Sequence, residues 1–141
     1  MKIFIDANIL VAVLNNEYPL FTYSARILSL SDNKKFTLYT SPVCISIAWY
    51  FAKKKSGEQL ARKKIITLCN HIQIAASDAS SVINSIANIK IHDIEDGIQY
   101  YSALNAKCKV IVTENISDFY FSELEVLDSK SFLEKYVFSL K

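Results

Sequence analysis

The sequence predicts an α/β fold, with a central parallel sheet of four to five strands between two layers of helices. Three observations carry that prediction. Apolar segments of strand length alternate with segments of helical periodicity along the whole 141-residue chain. The runs Ile3-Phe4-Ile5 and Val110-Ile111-Val112 are apolar at every position, the pattern of strands covered on both faces. Hydrophobic residues make up 51% and charged residues 21%, with only two Gly and two Pro, so connections are short and residues 1–141 read as one domain.

Taken in order, the strand Ile3–Ile5 leads into a short helix over 7–14, where Ile9, Leu10, Val13 and Leu14 recur at helical spacing. Glu17-Tyr18-Pro19 interrupts the chain, and 20–31 carries Leu20, Tyr23, Ile27, Leu28 and Leu30 as a second helix. After the polar turn Asp32–Lys35, Phe36–Thr40 is β-prone and ends at Ser41-Pro42, where Pro42 suits the first turn of a helix. That helix, Pro42 to about Lys54, is apolar around most of its circumference, which predicts burial or a subunit interface. Trp49, Tyr50 and Phe51 on it are expected in the core, with a contact to a second copy or a partner protein as the competing role. Another helix runs from Glu58 to about Asn70, a third strand from Ile72 to Ala76, and a helix over 79–89 bears Val82, Ile83 and Ile86 behind a Ser77-Asp78 cap. Glu125–Leu127 forms an edge strand, and a terminal helix starts at Ser129.

The net charge of +2 does not by itself announce a nucleic-acid partner. Six of the 16 Lys and Arg residues nevertheless fall between 53 and 64: Lys53, Lys54, Lys55, Arg62, Lys63 and Lys64. This is either a solvated helical face or a ridge that contacts phosphates. Cys44, Cys69 and Cys108 are widely spaced in apolar surroundings, without a CxxC pair, and read as buried free thiols. No signal-peptide pattern precedes the first strand and no apolar run approaches the roughly 18 residues of a membrane span, so a soluble cytoplasmic protein is expected.

The acids gather at the ends of strands. Asp6 follows the first strand directly, and Asn8 opens the helix behind it; in open α/β sheets this edge is where ligands bind. Both residues are also ordinary helix caps. In His92-Asp93-Ile94-Glu95-Asp96, three acids share one helical turn, partly favoured by the helix macrodipole. Helical spacing places Ile94, Ile98 and Tyr101 on a buried stripe with Asp96 beside it. Thr113, Asn115 and Asp118 then follow the strand Val110–Val112. Asp6, Asp96 and Asp118 thus reach one sheet edge from separate segments. Carboxylates brought together repel one another unless a cation neutralises them, and oxygen-only ligands suit Mg²⁺ or Mn²⁺.

Ile5-Asp6-Ala7-Asn8, Asp93-Ile94-Glu95-Asp96-Gly97-Ile98-Gln99-Tyr100 and Val110-Ile111-Val112-Thr113-Glu114-Asn115 followed by Asp118-Phe119 together resemble the PIN-domain family of small ribonucleases, which includes the VapC-type toxins of toxin–antitoxin pairs. The resemblance covers nearly the whole chain. It implies a parallel sheet, a metal-bound acidic pocket, single-stranded RNA as substrate and frequent homodimers. It assigns Asp6 and Asp96 to metal binding, with Asn115 and Asp118 at the family's late acidic or amide positions, and gives Asn8 and Thr113 supporting roles. An antitoxin partner is implied in the same way.

The chain departs from the family at one place. Such proteins usually carry a Glu about six residues beyond a Ser such as Ser41, and here Ser46 or Ile47 stands there. Asp93 or Glu95 is a candidate to supply the lost charge. Two functions follow: a Mg²⁺- or Mn²⁺-dependent endoribonuclease using Asp6, Asp96 and Asp118, or a degenerate PIN fold that binds RNA or protein without catalysis. Other acidic-site α/β proteins fit less well. Asn8 stands where a haloacid dehalogenase-type phosphatase needs a second Asp, Thr113-Glu114-Asn115 lacks the lysine of a receiver domain, and no GxGxxG serves a dinucleotide.

Overall fold

The computed structural model describes residues 1–140. Five parallel strands form one sheet: β1 (Lys2–Ile5), β2 (Thr37–Thr40), β3 (Gln73–Ile74), β4 (Val110–Val112) and β5 (Glu125–Leu127), in the spatial order β3-β2-β1-β4-β5. The helices are α1 (Ala7–Leu14), α2 (Leu20–Ser29), α3 (Pro42–Ser56), α4 (Glu58–Cys69), α5 (Ala79–Ala87), α6 (Ile94–Asn105) and α7 (Ser129–Tyr136). α1 packs on α2 and α3, α3 on α4, and α2 on α7, while α5 packs on α6. Parallel crossovers are right-handed, so reversing the direction of strand addition after β3 sends α5 and α6 to the opposite face. The result is a three-layer α/β/α architecture.

β1 and β4 are covered on both faces. Ile3, Phe4, Ile5, Val110, Ile111 and Val112 are all essentially inaccessible. Their register pairs Ile3 with Val110, Phe4 with Ile111 and Ile5 with Val112, which brings Asp6 and Thr113 out of the sheet at the same height. The strand order reverses between β1 and β4, so the crevice beyond their carboxyl ends is the topological switch point of the sheet.

Several elements differ in detail from the sequence reading. α2 stops at Ser29, and Leu30–Asp32 continues as a single 3₁₀ turn. β3 is only Gln73–Ile74, an exposed edge. α3 is not buried all round: its inner face is the small-residue row Cys44, Ala48 and Ala52, which lets the helix approach α1 and α4 closely. Tyr50 and Phe51 consequently project outward, 59% and 43% exposed. α5 faces opposite to a hydrophobic-in pattern. Ser81 and Ser85 are buried, whereas Val82, Ile83 and Ile86 are exposed. α6 is rotated likewise. Its buried face is Gly97, Gln99, Tyr100, Ser102 and Ala103, while Ile94 is exposed and Ile98 and Tyr101 are half-buried. Cys69, at the outer end of α4, is exposed, and Cys44 and Cys108 are buried.

The common cause at α5 and α6 is close approach. A Cβ on Gly97 would lie 2.8 Å from Ser85 Oγ and 2.9 Å from Ser85 Cβ. The serines return their hydroxyls locally: Ser85 Oγ donates to Ser81 O at 2.7 Å, and Asn105 Nδ2 donates to Ser81 Oγ at 3.1 Å. Small residues with satisfied hydroxyls make the inner seam, and the branched residues are left outside. Gly97→Ala is expected to lower stability by about 1–3 kcal/mol through overpacking. Chemical denaturation of this variant checks it, and adding Ser85→Gly to it should recover part of the loss.

Candidate active site

The Asp6 carboxylate is placed by four donors. Asp6 is the N-cap of α1, and its Oδ1 accepts from Ala7 N at 2.8 Å. The Cys44 thiol donates to the same oxygen at 3.6 Å. Oδ2 accepts from the Thr113 hydroxyl at 2.8 Å and from Asn8 Nδ2 at 3.4 Å. Thr113 Oγ1 in turn accepts from Asn8 Nδ2 and from Asn115 N, each at 3.1 Å. Asn8 Oδ1 accepts from Glu114 N at 3.1 Å, which closes a network between the ends of β1 and β4. Asp6 therefore serves as both a helix cap and a wall of the crevice; the two readings of its position are compatible.

A cleft of about 500 Å³ opens over this network. It is lined by Asp6, Asn8, Asp93, Glu95, Asp96, Asn115 and Asp118. Asp93 caps α6, its carboxylate accepting from Glu95 N at 2.9 Å, and Asp118 lies in the 3₁₀ turn Ile116–Phe119 after β4. Ser41 stands behind the cleft as the N-cap of α3. Its Oγ accepts from Cys44 N at 3.0 Å and donates to Gln99 Oε1, which leaves the Gln99 amide nitrogen as the free end of a side chain that lines the cleft. Sequence reasoning passed over Gln99, although its position three residues after Asp96 puts both on one helical face. It also missed Glu17, which lines the cleft from the turn after α1. At the point of departure from the family pattern, Ile47 rather than Ser46 faces the cleft.

The basic run lies elsewhere. Lys63 and Lys64 border a separate groove of about 580 Å³ between α2 and α4. Lys64 Nζ donates to Leu14 O at 2.7 Å and Lys55 Nζ donates to Asn15 O, so both close the carboxyl end of α1. Lys53 and Arg62 pair with Glu58, and the Arg62 guanidinium sits 5.2 Å from the centre of the Trp49 ring. Among the described residues, only Lys54 and Lys63 of the six have no intramolecular partner for their charge.

The acids perturb one another. Burial first, and then the charges of Asp93, Asp118, Asp6 and Glu95, push the Asp96 carboxyl up to about 7. Burial also raises Asp6, opposed by its hydrogen bonds from Thr113, Ala7 and Cys44. Among the described residues, no three His, Cys, Asp or Glu side chains are drawn together as a ready-made metal cage. An open, oxygen-only set fits Mg²⁺, which keeps several waters and is commonly held through one or two carboxylates. The mutual repulsion around Asp96 is what a cation would relieve.

This sets a pH dependence. Between the unperturbed value of 3.8 and about 7, the folded chain holds a proton on Asp96 that the unfolded chain has released. The contribution of Asp96 to stability is therefore full below that window and is lost as pH rises through it. Metal-free protein should show a melting temperature that falls more steeply across this window than that of Asp96→Asn, as read by circular dichroism at a series of pH values.

The model of the PIN domain family matches residues 2–117. The chain is 27% identical over 140 residues to Ribonuclease VapC1 of Aquifex aeolicus (strain VF5), covering 96% of this chain and 95% of that protein. Among solved structures it resembles VapBC2 from Rickettsia felis bound to a DNA fragment from its promoter, with a TM-score of 0.68, 17% identity and coverage of 91% of this chain and 98% of that one. It also resembles Mycobacterium tuberculosis VapC20, a toxin that cleaves the sarcin-ricin loop, with a TM-score of 0.61, 16% identity and coverage of 77% and 86%. The family model spans both motif-bearing strand ends and the acidic helix between them, and the chain belongs to the PIN domain family.

Proposed function

We propose that this protein is a divalent-metal-dependent endoribonuclease that cleaves single-stranded RNA in the cytoplasm, as the toxin of a toxin–antitoxin pair. The observation that carries the reading is the convergence of Asp6, Asp96 and Asp118 on one cleft at the switch point of a PIN domain. The ribonuclease name of the Aquifex aeolicus relative and the cleaving activity named for VapC20 support it. So does the VapBC2 assembly, for the presence of a partner chain. The alternative, a fold kept for binding alone, has Ile47 in its favour and the ribonuclease relative against it.

In this reading Asp6, Asp96 and Asp118 hold the cation, with the Asn115 amide beside them. Bound Mg²⁺ or Mn²⁺ would polarise a phosphoryl oxygen and lower the pKa of water. Asp6 is held at the wall of the cleft by its donors before any ligand arrives, and the long contacts from Asn8 and Cys44 are the ones a cation would displace. Asp96, pushed up by burial and the neighbouring acids in the metal-free protein, would give up its proton on binding the cation, so metal binding should strengthen as pH rises. Asn8, Thr113 and Ser41 support this arrangement, while Asp93 and Glu95 extend the negative field at the mouth. Of the six basic residues between 53 and 64, Lys54 and Lys63 are the two with charge to spare for an RNA backbone. A second copy or an antitoxin would cover apolar residues such as Ile83 and Ile86, which are 63% and 68% exposed. No helix among the described residues is long and apolar enough to cross a membrane.

Labelled single-stranded RNA incubated with metal-stripped protein should stay intact and be cut on addition of Mg²⁺ or Mn²⁺. Asp6→Asn and Asp96→Asn should each lower the rate by about 10²-fold or more, as expected for groups that bind the cation. Folded wild-type protein that leaves varied RNAs uncut with either metal would move the conclusion to the binding module. The lysines should separate by role. Lys54→Ala combined with Lys63→Ala should weaken RNA binding and reduce its log–log salt slope by about 1.4. Lys55→Ala and Lys64→Ala should instead lower the melting temperature.

A further inference from the structure

The walls of the cleft are rich in hydrogen-bond acceptors and poor in donors. Among the described residues that line it there is no Lys, Arg or His to meet an RNA phosphate. Asn8 has its amide nitrogen committed to Asp6 and Thr113, and Asn115 is exposed. Gln99 is different. It lines the cleft yet is only 2% exposed. On α6 it stands three residues after Asp96, a spacing at which Cβ atoms lie about 5–6 Å apart.

The orientation of its amide is fixed from behind. Ser41 Oγ already accepts from Cys44 N at 3.0 Å, so its proton goes to Gln99 Oε1 and the nitrogen becomes the free end. The Cys44 thiol donates to Asp6 Oδ1, so the same relay is tied to the Asp6 carboxylate. Among the described residues, the side-chain polar atoms that are both sealed from solvent and unpartnered are Asn15 Oδ1 and Ser24 Oγ. The Gln99 nitrogen, which also has no partner, is not sealed, and it opens onto the cleft. An amide nitrogen has no lone pair for a cation. A nearly buried N–H₂ group gains only from an acceptor, and a ligand can bring one.

We propose that Gln99 is a catalytic residue that donates a hydrogen bond to a non-bridging oxygen of the RNA phosphate in the cleft. This rests on the metal-dependent reading above. In the hydrolysis a water oxygen bonds to phosphorus, the bond to one ribose oxygen breaks, and that oxygen takes up a proton in exchange for the one the water loses. Gln99 neither gains nor loses a proton. Its donor is in place before charge shifts on the phosphoryl oxygens, the condition under which a hydrogen bond favours the transition state.

Gln99→Met keeps the approximate shape without the donor and should lower kcat for RNA cleavage about 10²-fold. Its Mn²⁺ affinity, read by electron paramagnetic resonance of the free ion, should match that of the wild type. Ser41→Ala breaks the same Ser41–Gln99 bond and also removes the α3 cap, so it should cost more in melting temperature and less in kcat. Equal losses of kcat in the two variants, or a parallel fall in Mn²⁺ affinity, would overturn the proposal. A second measurement needs no catalysis. In ¹⁵N-labelled wild-type protein with Mg²⁺, inorganic phosphate should shift the Gln99 side-chain amide resonances, which are identified by their absence from Gln99→Met. An unmoved amide would overturn the contact. A shifted amide in protein that cuts no RNA would overturn the nuclease reading and leave the phosphate contact standing.

Discussion

The hydrogen bond from the Thr113 hydroxyl to the Asp6 carboxylate, 2.8 Å long, joins the two strand ends on which the cleft is built. It exists because Ile5 and Val112 are paired in register, and that pairing exists because β1 and β4 are apolar at every buried position. A slip of one residue would turn every side chain of the strand to the other face and separate Asp6 from Thr113. The site is thus a consequence of core packing a few ångströms away. Burying a carboxylate this far is tolerable only because donors surround it.

Much of this arrangement can be read from the chain. A strand followed at once by an acid or amide is a local pattern, and sheet topology carries such residues to a common edge; hence Asp6, Asn8, Thr113, Asn115 and Asp118 are legible. Asp96 is legible as part of a compact acidic motif, but not from the apolar stripe beside it. The stripe of Ile94, Ile98 and Tyr101 is not the buried one, because α6 approaches α5 through Gly97 and needs small residues there. Hydrophobicity alone cannot report a seam set by backbone proximity. Glu17 and Gln99 were illegible for different reasons. The place of Glu17 depends on how a turn folds back on α3, and the relevance of Gln99 depends on a bond from Ser41, 58 residues away.

The basic run shows a related limit. Counting charge between 53 and 64 treats six residues as equivalent, yet the fold uses them differently. Lys55 and Lys64 satisfy carbonyls at the end of α1, where a helix has orphan acceptors and a partial negative charge. These lysines hold the turn that carries Glu17, so one side of the cleft is braced by cations that never face it.

Cys44 sits under Asp6, with its thiol pushed up to about 12 by burial and by the neighbouring carboxylate. Only the thiolate reacts readily with oxidants and electrophiles. At cellular pH this cysteine is therefore chemically silent, and the floor of the cleft is insulated from redox chemistry despite containing sulfur. Exposed Cys69, at the far end of α4, is the position a thiol reagent meets first. Oxidation or labelling of this protein would register on its surface well before it reached the acids.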